Sequence, residues 1–186
     1  GTENINLQEL EIRYYYTSDG NEQQNFWCDW CSAGNSNITH DFISMEDPMA
    51  DAESYLELCF TSAAGILGPG QEIEVQCRIA KEDWSDYSQT NDYSFNSSAS
   101  DYMEWNSSTA YLNGNCIWGE EPDTPAVPEP PVPITESVLL EMYNSTRSDT
   151  SNTISPHFNL VNTGNTSINL QEVKIRYYYM VGGEKT

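Results

Sequence analysis

The chain of 186 residues carries 29 Asp and Glu against 7 Lys and Arg, a formal charge of −22 with a pI near 4.1. Such a surplus repels phosphate backbones and anionic membrane surfaces, both of which are bound through clustered basic side chains. Hydrophobic residues at 38% and aromatics at 12% suffice for a core, and no apolar run approaches the ~18 residues of a spanning helix. Leu10 to Tyr16 alternates in polarity and meets Ser18-Asp19-Gly20, a hairpin-type turn signal. Tyr55 to Phe60 then places Leu56, Leu58 and Phe60 on one face of a second strand. In a third, Ile73, Val75, Cys77 and Ile79 share the inner face, which leaves Glu74, Gln76 and Arg78 on the outer one. Short strands between Gly, Pro, Asn and Ser clusters predict an all-β, antiparallel sandwich or jelly roll.

The sharpest organisational signal is a repeat. Ile5-Asn-Leu-Gln-Glu-Leu-Glu-Ile-Arg-Tyr-Tyr-Tyr16 recurs as Ile168-Asn-Leu-Gln-Glu-Val-Lys-Ile-Arg-Tyr-Tyr-Tyr179, identical at ten of twelve positions and offset by 163. An offset that long indicates a duplicated domain rather than a solenoid, whose periods run about 20–50 residues. Between the copies, Glu120-Glu-Pro-Asp-Thr-Pro-Ala-Val-Pro-Glu-Pro-Pro-Val-Pro133 reads as an extended linker. The chain divides accordingly into 1–120, a linker at 121–135, and 136–186. The last segment is expected to complete the first module, in cis or by swapping into a strand-swapped oligomer, because a sandwich lacking strands exposes open edges and apolar surface.

Several stretches carry a family resemblance. Phe26-Trp-Cys-Asp-Trp30, Ala80-Lys-Glu-Asp-Trp-Ser-Asp-Tyr87, Gln89-Thr-Asn-Asp-Tyr-Ser-Phe95, Ala110-Tyr-Leu-Asn-Gly114 and Ile117-Trp-Gly-Glu-Glu-Pro122 resemble family 3 carbohydrate-binding modules. Tyr143-Asn-Ser, Asn162-Thr-Gly164 and Ile175-Arg-Tyr-Tyr-Tyr179 resemble the N-terminal strands of the same family, so the match runs in rotated order across a tandem-module junction. The resemblance implies a nine-stranded jelly-roll sandwich that binds cellulose. It also implies attachment to a cellulase, scaffoldin or sensor, outside the cell, secreted or held at its surface.

A glucose ring presents a flat C–H face that is apolar, so a partner needs coplanar aromatic faces with polar anchors beside them. By the resemblance, Asp29, Trp30, Arg78 and Trp84 form a planar strip in which Asp29 and Arg78 pair between the two indoles. The planar guanidinium suits that role where Lys would not. Gln76, on the same outer face as Arg78, resembles an anchoring hydrogen-bonder, and Thr146, Ser148 and Asn152 occupy further anchor positions. One departure concerns the loop Cys31-Ser-Ala-Gly-Asn-Ser-Asn-Ile-Thr39, which is short and lacks the Tyr of the family's best cellulose binders.

Hard oxygen ligands crowd two loops, Thr17-Ser-Asp-Gly20 and Ser88-Gln-Thr-Asn-Asp92. Turn formation alone accounts for Asp-Gly and Asn-Asp. The resemblance adds a structural Ca²⁺ held by Asp19, Asn91 and Asp92 side chains, with Thr17 and Ser88 giving carbonyls or hydroxyls.

Catalysis is not expected, since no motif singles out an acid and nucleophile pair among the 29 carboxylates. His40 and His157 stand far apart with no nucleophile motif. Five Cys leave at least one unpaired; the inward Cys77 reads as a buried free thiol, as most of them do, and an extracellular setting leaves bridges between others open. The leading expectation is a non-catalytic module that carries an attached protein to the plant cell wall. The alternatives are an auxiliary module packed on a catalytic domain, and a structural or interaction spacer using the Tyr-rich face around Arg13 and Tyr15.

Overall fold

The computed structural model describes residues 12–16, 22–49, 51–112, 114–122, 138–165, 167–170 and 173–179. The expected ligands Thr17 and Asp19, the first part of the repeat and nearly all of the linker lie outside them. Fifteen strands are described, numbered here in chain order.

One sheet holds β1 (Ile12–Tyr16), β3 (Ile38–Met49), β4 (Ala52–Phe60), β9 (Ser108–Leu112), β10 (Asn115–Trp118) and β15 (Val173–Tyr179), in the order β10-β9-β15-β1-β4-β3. The other holds β2 (Gln24–Cys31), β6 (Glu72–Lys81), β8 (Met103–Glu104), β11 (Val138–Asn144) and β13 (Pro156–Asn162), in the order β2-β6-β13-β11-β8. Two short pairs close the ends, β5 (Ile66–Leu67) with β14 (Ile168–Asn169) and β7 (Tyr87–Ser88) with β12 (Thr150–Ser151). The fold is all-β and of jelly-roll sandwich type, as the alternation predicts.

The alternation of β6 sets the layers. Ile73, Val75, Cys77 and Ile79 are buried, while Glu74, Gln76 and Arg78 face out. Leu140, Met142, Phe158 and Leu160 extend that inner face across β11 and β13 and meet Leu56, Leu58, Ile175 and Tyr177 of the opposite sheet in one core. Phe158 and Tyr177 touch edge to face across the sandwich at 5.8 Å, and the buried Tyr177 hydroxyl donates to Asn144 Oδ1 at 2.8 Å. A fully buried side chain of this size contributes on the order of 1.5–3 kcal/mol. The facing rows of these two sheets therefore dominate cohesion.

The described C-terminal parts of the two copies of the repeat lie side by side. Ile12, Arg13 and Tyr14 pair in parallel with Ile175, Arg176 and Tyr177, each residue beside its own equivalent. On β4, Tyr55 is partnered by Tyr15 and by Tyr178, and Ser54 by Tyr16 and by Tyr179. These are again equivalent residues, in one register. A strand edge offers each N–H and C=O once, so at this end of β4 the two copies address the same backbone groups.

Candidate functional site

The outer face of the β2-β6-β13-β11 sheet carries the expected strip, and a β-bulge builds it. Trp27 pairs with Arg78 and Cys28 with Cys77, but the next pair is Trp30 with Gln76, which leaves Asp29 as an extra residue. Strict alternation would turn Trp30 inward, and the inserted residue re-aims it outward while returning Cys31 to the core. Trp30 is 44% exposed and Cys31 4%. The Asn35 side chain braces the bulge: Nδ2 donates to the carbonyls of Cys28 at 3.1 Å and Asp29 at 3.0 Å, and Oδ1 accepts from Cys31 N at 2.9 Å.

Asp29 meets Arg78 beside that tryptophan. Nε of Arg78 donates to both carboxylate oxygens at 3.0 Å, with both side chains open to solvent. The guanidinium carbon lies 4.8 Å from the Trp27 ring centroid, over its face. Trp27 in turn stacks on Trp84, with centroids 5.7 Å apart and planes inclined by 22°.

Trp84 sits on the tight connection that follows β6. Its N–H donates to the Lys81 carbonyl at 3.1 Å, and Asp83 Oδ1 accepts from both the N–H and the hydroxyl of Ser85. Those two bonds hold the Asp83 carboxyl below its usual pKa. Trp84 adopts a left-handed backbone, φ 59°, which a bulky residue accepts only under constraint. It is 50% exposed. The sequence read in this way yields an indole that is held out of the core.

Gln76 joins a cross-strand row, paired with Trp30 on one side and His157 on the other. Its amide donates to Glu74 at 2.6 Å. His157 packs edge-on against Tyr143 at 4.5 Å, and Tyr143 against Tyr102 at 4.8 Å. Burial lowers the His157 pKa, opposed by the Glu74 and Asp29 charges. Thr146, Ser148 and Asn152 lie on the connection between β11 and β13, which the Ile154–Ile79 bridge brings to the Arg78 end of β6. Asn152 accepts from the Thr153 hydroxyl at 3.2 Å, and the Ser148 carbonyl accepts from Gln89 Nε2 at 2.8 Å. The structure thus joins Asp29, Trp30, Arg78, Trp84 and Gln76 on one face and sets the other three on an adjoining loop.

That loop abuts the second candidate site. Thr150 pairs with Ser88, and Gln89 N donates to the Asp149 carbonyl at 2.8 Å. Gln89 is fully buried and Asp92 buried, and Asp92 N donates to the Gln89 carbonyl at 3.1 Å. Gln89 Oε1 and Asn91 Oδ1 are buried oxygens without a hydrogen-bond donor. A buried acceptor left in that condition is costly, and a hard cation is the group that satisfies several at once. Among the described residues no three His, Cys, Asp or Glu gather as a metal cluster.

Three contributors escape sequence reasoning. Trp27 belongs to the Phe-Trp-Cys-Asp-Trp stretch, yet nothing in one strand announces what lies across from it. Asn35 reads as an ordinary turn residue in a Gly-Asn-Ser-Asn run. Gln89 sits beside expected ligands, and its full burial is the only sign that sets it apart.

Comparison with known proteins gives a concordant result. Residues 1–119 and 139–186 match the family model described as cellulose binding domain. The chain is 54% identical over 122 residues to Exoglucanase-2 of Thermoclostridium stercorarium, an alignment covering 66% of this chain and 13% of that protein. Beta-mannanase/endoglucanase A of Caldicellulosiruptor saccharolyticus aligns with 100% of the chain at 36% identity over 226 residues, 17% of its own length. The solved structure of CBM3b from the major scaffoldin subunit ScaA of Acetivibrio cellulolyticus superposes with a TM-score of 0.61 at 50% identity, covering 63% of this chain and 77% of that one. The chain spans less than one fifth of the length of the two curated relatives.

Proposed function

The chain belongs to the cellulose-binding domain family, and from that premise we propose that it binds crystalline cellulose through the flat strip Trp84, Arg78, Asp29 and Trp30. The observation that carries this reading is a solvent-open Arg78–Asp29 pair with one half-exposed indole, Trp30, next to Asp29 in the chain and another, Trp84, joined to Arg78 through Trp27. Apolar ring faces receive the C–H faces of glucose, and the guanidinium–carboxylate pair meets hydroxyls in the same plane. Gln76 anchors from the neighbouring strand, with Thr146, Ser148 and Asn152 extending the contact from the adjoining loop. The module supplies binding and no bond-making step. It holds an attached glycoside hydrolase, scaffoldin or sensor against the plant cell wall, outside the cell. Relatives named as an exoglucanase and a scaffoldin support that placement.

The test is pull-down on microcrystalline cellulose with chitin and xylan as controls. Wild type should partition to cellulose, and Trp30→Ala with Trp84→Ala should lose at least about tenfold in affinity, or ~1.4 kcal/mol. Unchanged retention of that double variant would sink the platform reading.

A structural Ca²⁺ is the second element proposed. Gln89 and Asn91 side chains, the Asp92 carboxylate and Ser88 would hold it, joined by Thr17 and Asp19. The donorless buried oxygens of Gln89 and Asn91 support the assignment. When bound, the ion would supply positive charge at the junction of the β7 and β12 loops. A chelator should lower Tm by several degrees, and a Tm that does not move would remove the ion from the reading.

At the level of domains, segment 136–186 completes the sandwich of 1–120, in cis or by exchange between chains. The pairings of β13 with β6 and of β15 with β9 support completion. The spacer alternative draws on a groove of about 430 Å³ on the opposite sheet, lined by Arg13, Tyr15, Tyr55, Glu121 and Pro122 among others. Cellulose pull-down separates the two, because a spacer would leave the chain in solution.

A further inference from the structure

We propose that Trp27 is a positioning residue of the cellulose-binding strip, the support that fixes Trp84 and Arg78 in the plane offered to the glucan. The inference rests on the platform reading above and adds to it a residue that touches two members of the strip. Trp27 is half-buried, and both of its polarisable contacts are with strip members: the Trp84 indole at 5.7 Å and 22°, and the Arg78 guanidinium at 4.8 Å. No other ring contact of the described residues joins a strip aromatic to a second aromatic side chain.

The need for such a support follows from the geometry of the two groups it touches. Trp84 is exposed on a connection whose backbone is left-handed. Its hydrogen-bonded turn fixes the main chain but leaves the indole free to rotate about its own side-chain bonds. A ring stacked against it removes that freedom before ligand arrives, so binding does not have to. Arg78 is held at Nε by Asp29, which sets its direction but leaves the tilt of the guanidinium open. Stacking on an indole face fixes the tilt and favours the charged, planar group. Trp27 faces Arg78 across the β2–β6 ladder, two residues before the bulged Asp29, so its support and the re-aiming of Trp30 come from one strand.

The experiment measures cellulose affinity, Tm and the tryptophan exciton couplet in circular dichroism for wild type, Trp27→Leu, Trp27→Phe, and Trp30→Ala with Trp84→Ala. Trp27→Leu should lose about tenfold in affinity and lose the couplet, with Tm within a few degrees of wild type. Trp27→Phe, which keeps a ring in place, should bind with intermediate strength. Wild-type affinity in Trp27→Leu, alongside lost binding in the Trp30/Trp84 double variant, would overturn this proposal and leave the platform standing. Wild-type affinity in the double variant would instead remove the platform and this support with it. Phe as weak as Leu would also overturn the proposal, since the defect would then belong to the fold and not to the ring. Trp27→Met takes the place of Leu if the latter does not fold, and is read in the same way.

Discussion

Asn35 clamps Asp29. Its side-chain amide donates to the Asp29 carbonyl at 3.0 Å and to the Cys28 carbonyl at 3.1 Å, while its oxygen accepts from Cys31 N. Those three bonds close the one bulge that turns both Asp29 and Trp30 toward solvent. Without them the strand has a competing solution, in which Asp29 rejoins the ladder and Trp30 swings toward the core. Asn35→Ala should therefore weaken cellulose binding several-fold although Asn35 touches no ligand. Loss of bonds at an exposed site costs roughly 1–2 kcal/mol, a fall in Tm of about 2–8 °C for a domain of this size. Affinity equal to wild type in a variant of lowered Tm would show that the bulge holds without the brace.

Arg78 makes a demand that Lys cannot meet. One guanidinium reaches Asp29 through Nε and lies over Trp27, two contacts that require a plane. Arg78→Lys keeps the charge and removes the plane, and should cost about tenfold in affinity, or ~1.4 kcal/mol. Stability should barely respond, because the pair is solvent-open and such pairs are worth little. Isothermal titration with a soluble cello-oligosaccharide, or a depletion isotherm on cellulose, measures the difference. Equal affinity for Lys and Arg would reduce Arg78 to a simple charge.

How much of this was legible in the sequence depends on what each residue's neighbours are. The inward Ile73, Val75, Cys77 and Ile79 needed only the two-residue period of a strand, and the outward Arg78 followed from it. Trp30 did not follow. A bulge is a property of two paired strands, and period counting along β2 alone would bury that indole. Its exposure was reached only through resemblance. The repeat was plain as text, but that both copies address Ser54 and Tyr55 in one register is a statement about β4, which carries no trace of the duplication. Trp27 and Gln89 act through partners far away in sequence, and only folding brings those partners to them.

The shared register on β4 makes the two copies of the repeat alternatives at that edge. Tyr15 and Tyr178 are equivalent positions facing Tyr55, so a proline at either removes a ladder N–H from one copy and leaves the other able to pair. Tyr15→Pro alone and Tyr178→Pro alone should each lower Tm by less than half the loss seen in the double variant. Thermal unfolding of the four chains gives the comparison. If each single variant were as unstable as the double, the two strands would be separate requirements and not substitutes.

His157 should make the protein acid-sensitive in a defined direction. Burial on the outer sheet lowers its pKa, and its Nδ1 is buried without a partner, while Glu74 of β6 and Asp29 of β2 pull the other way and Tyr143 of β11 packs against the ring. As pH falls, the unfolded chain takes up this proton before the folded one does. The contribution of a neutral His157 is therefore complete above the unfolded value of about 6.5 and shrinks as pH drops toward the lower folded value. His157→Gln keeps a polar side chain of similar reach and removes the titration. Between about pH 7 and pH 5 the Tm of wild type should fall more steeply than that of the variant, the gap closing on return to neutral pH. Parallel Tm profiles for the two proteins would mean that this imidazole titrates alike folded and unfolded. The pH dependence would then have to be traced to the carboxylates.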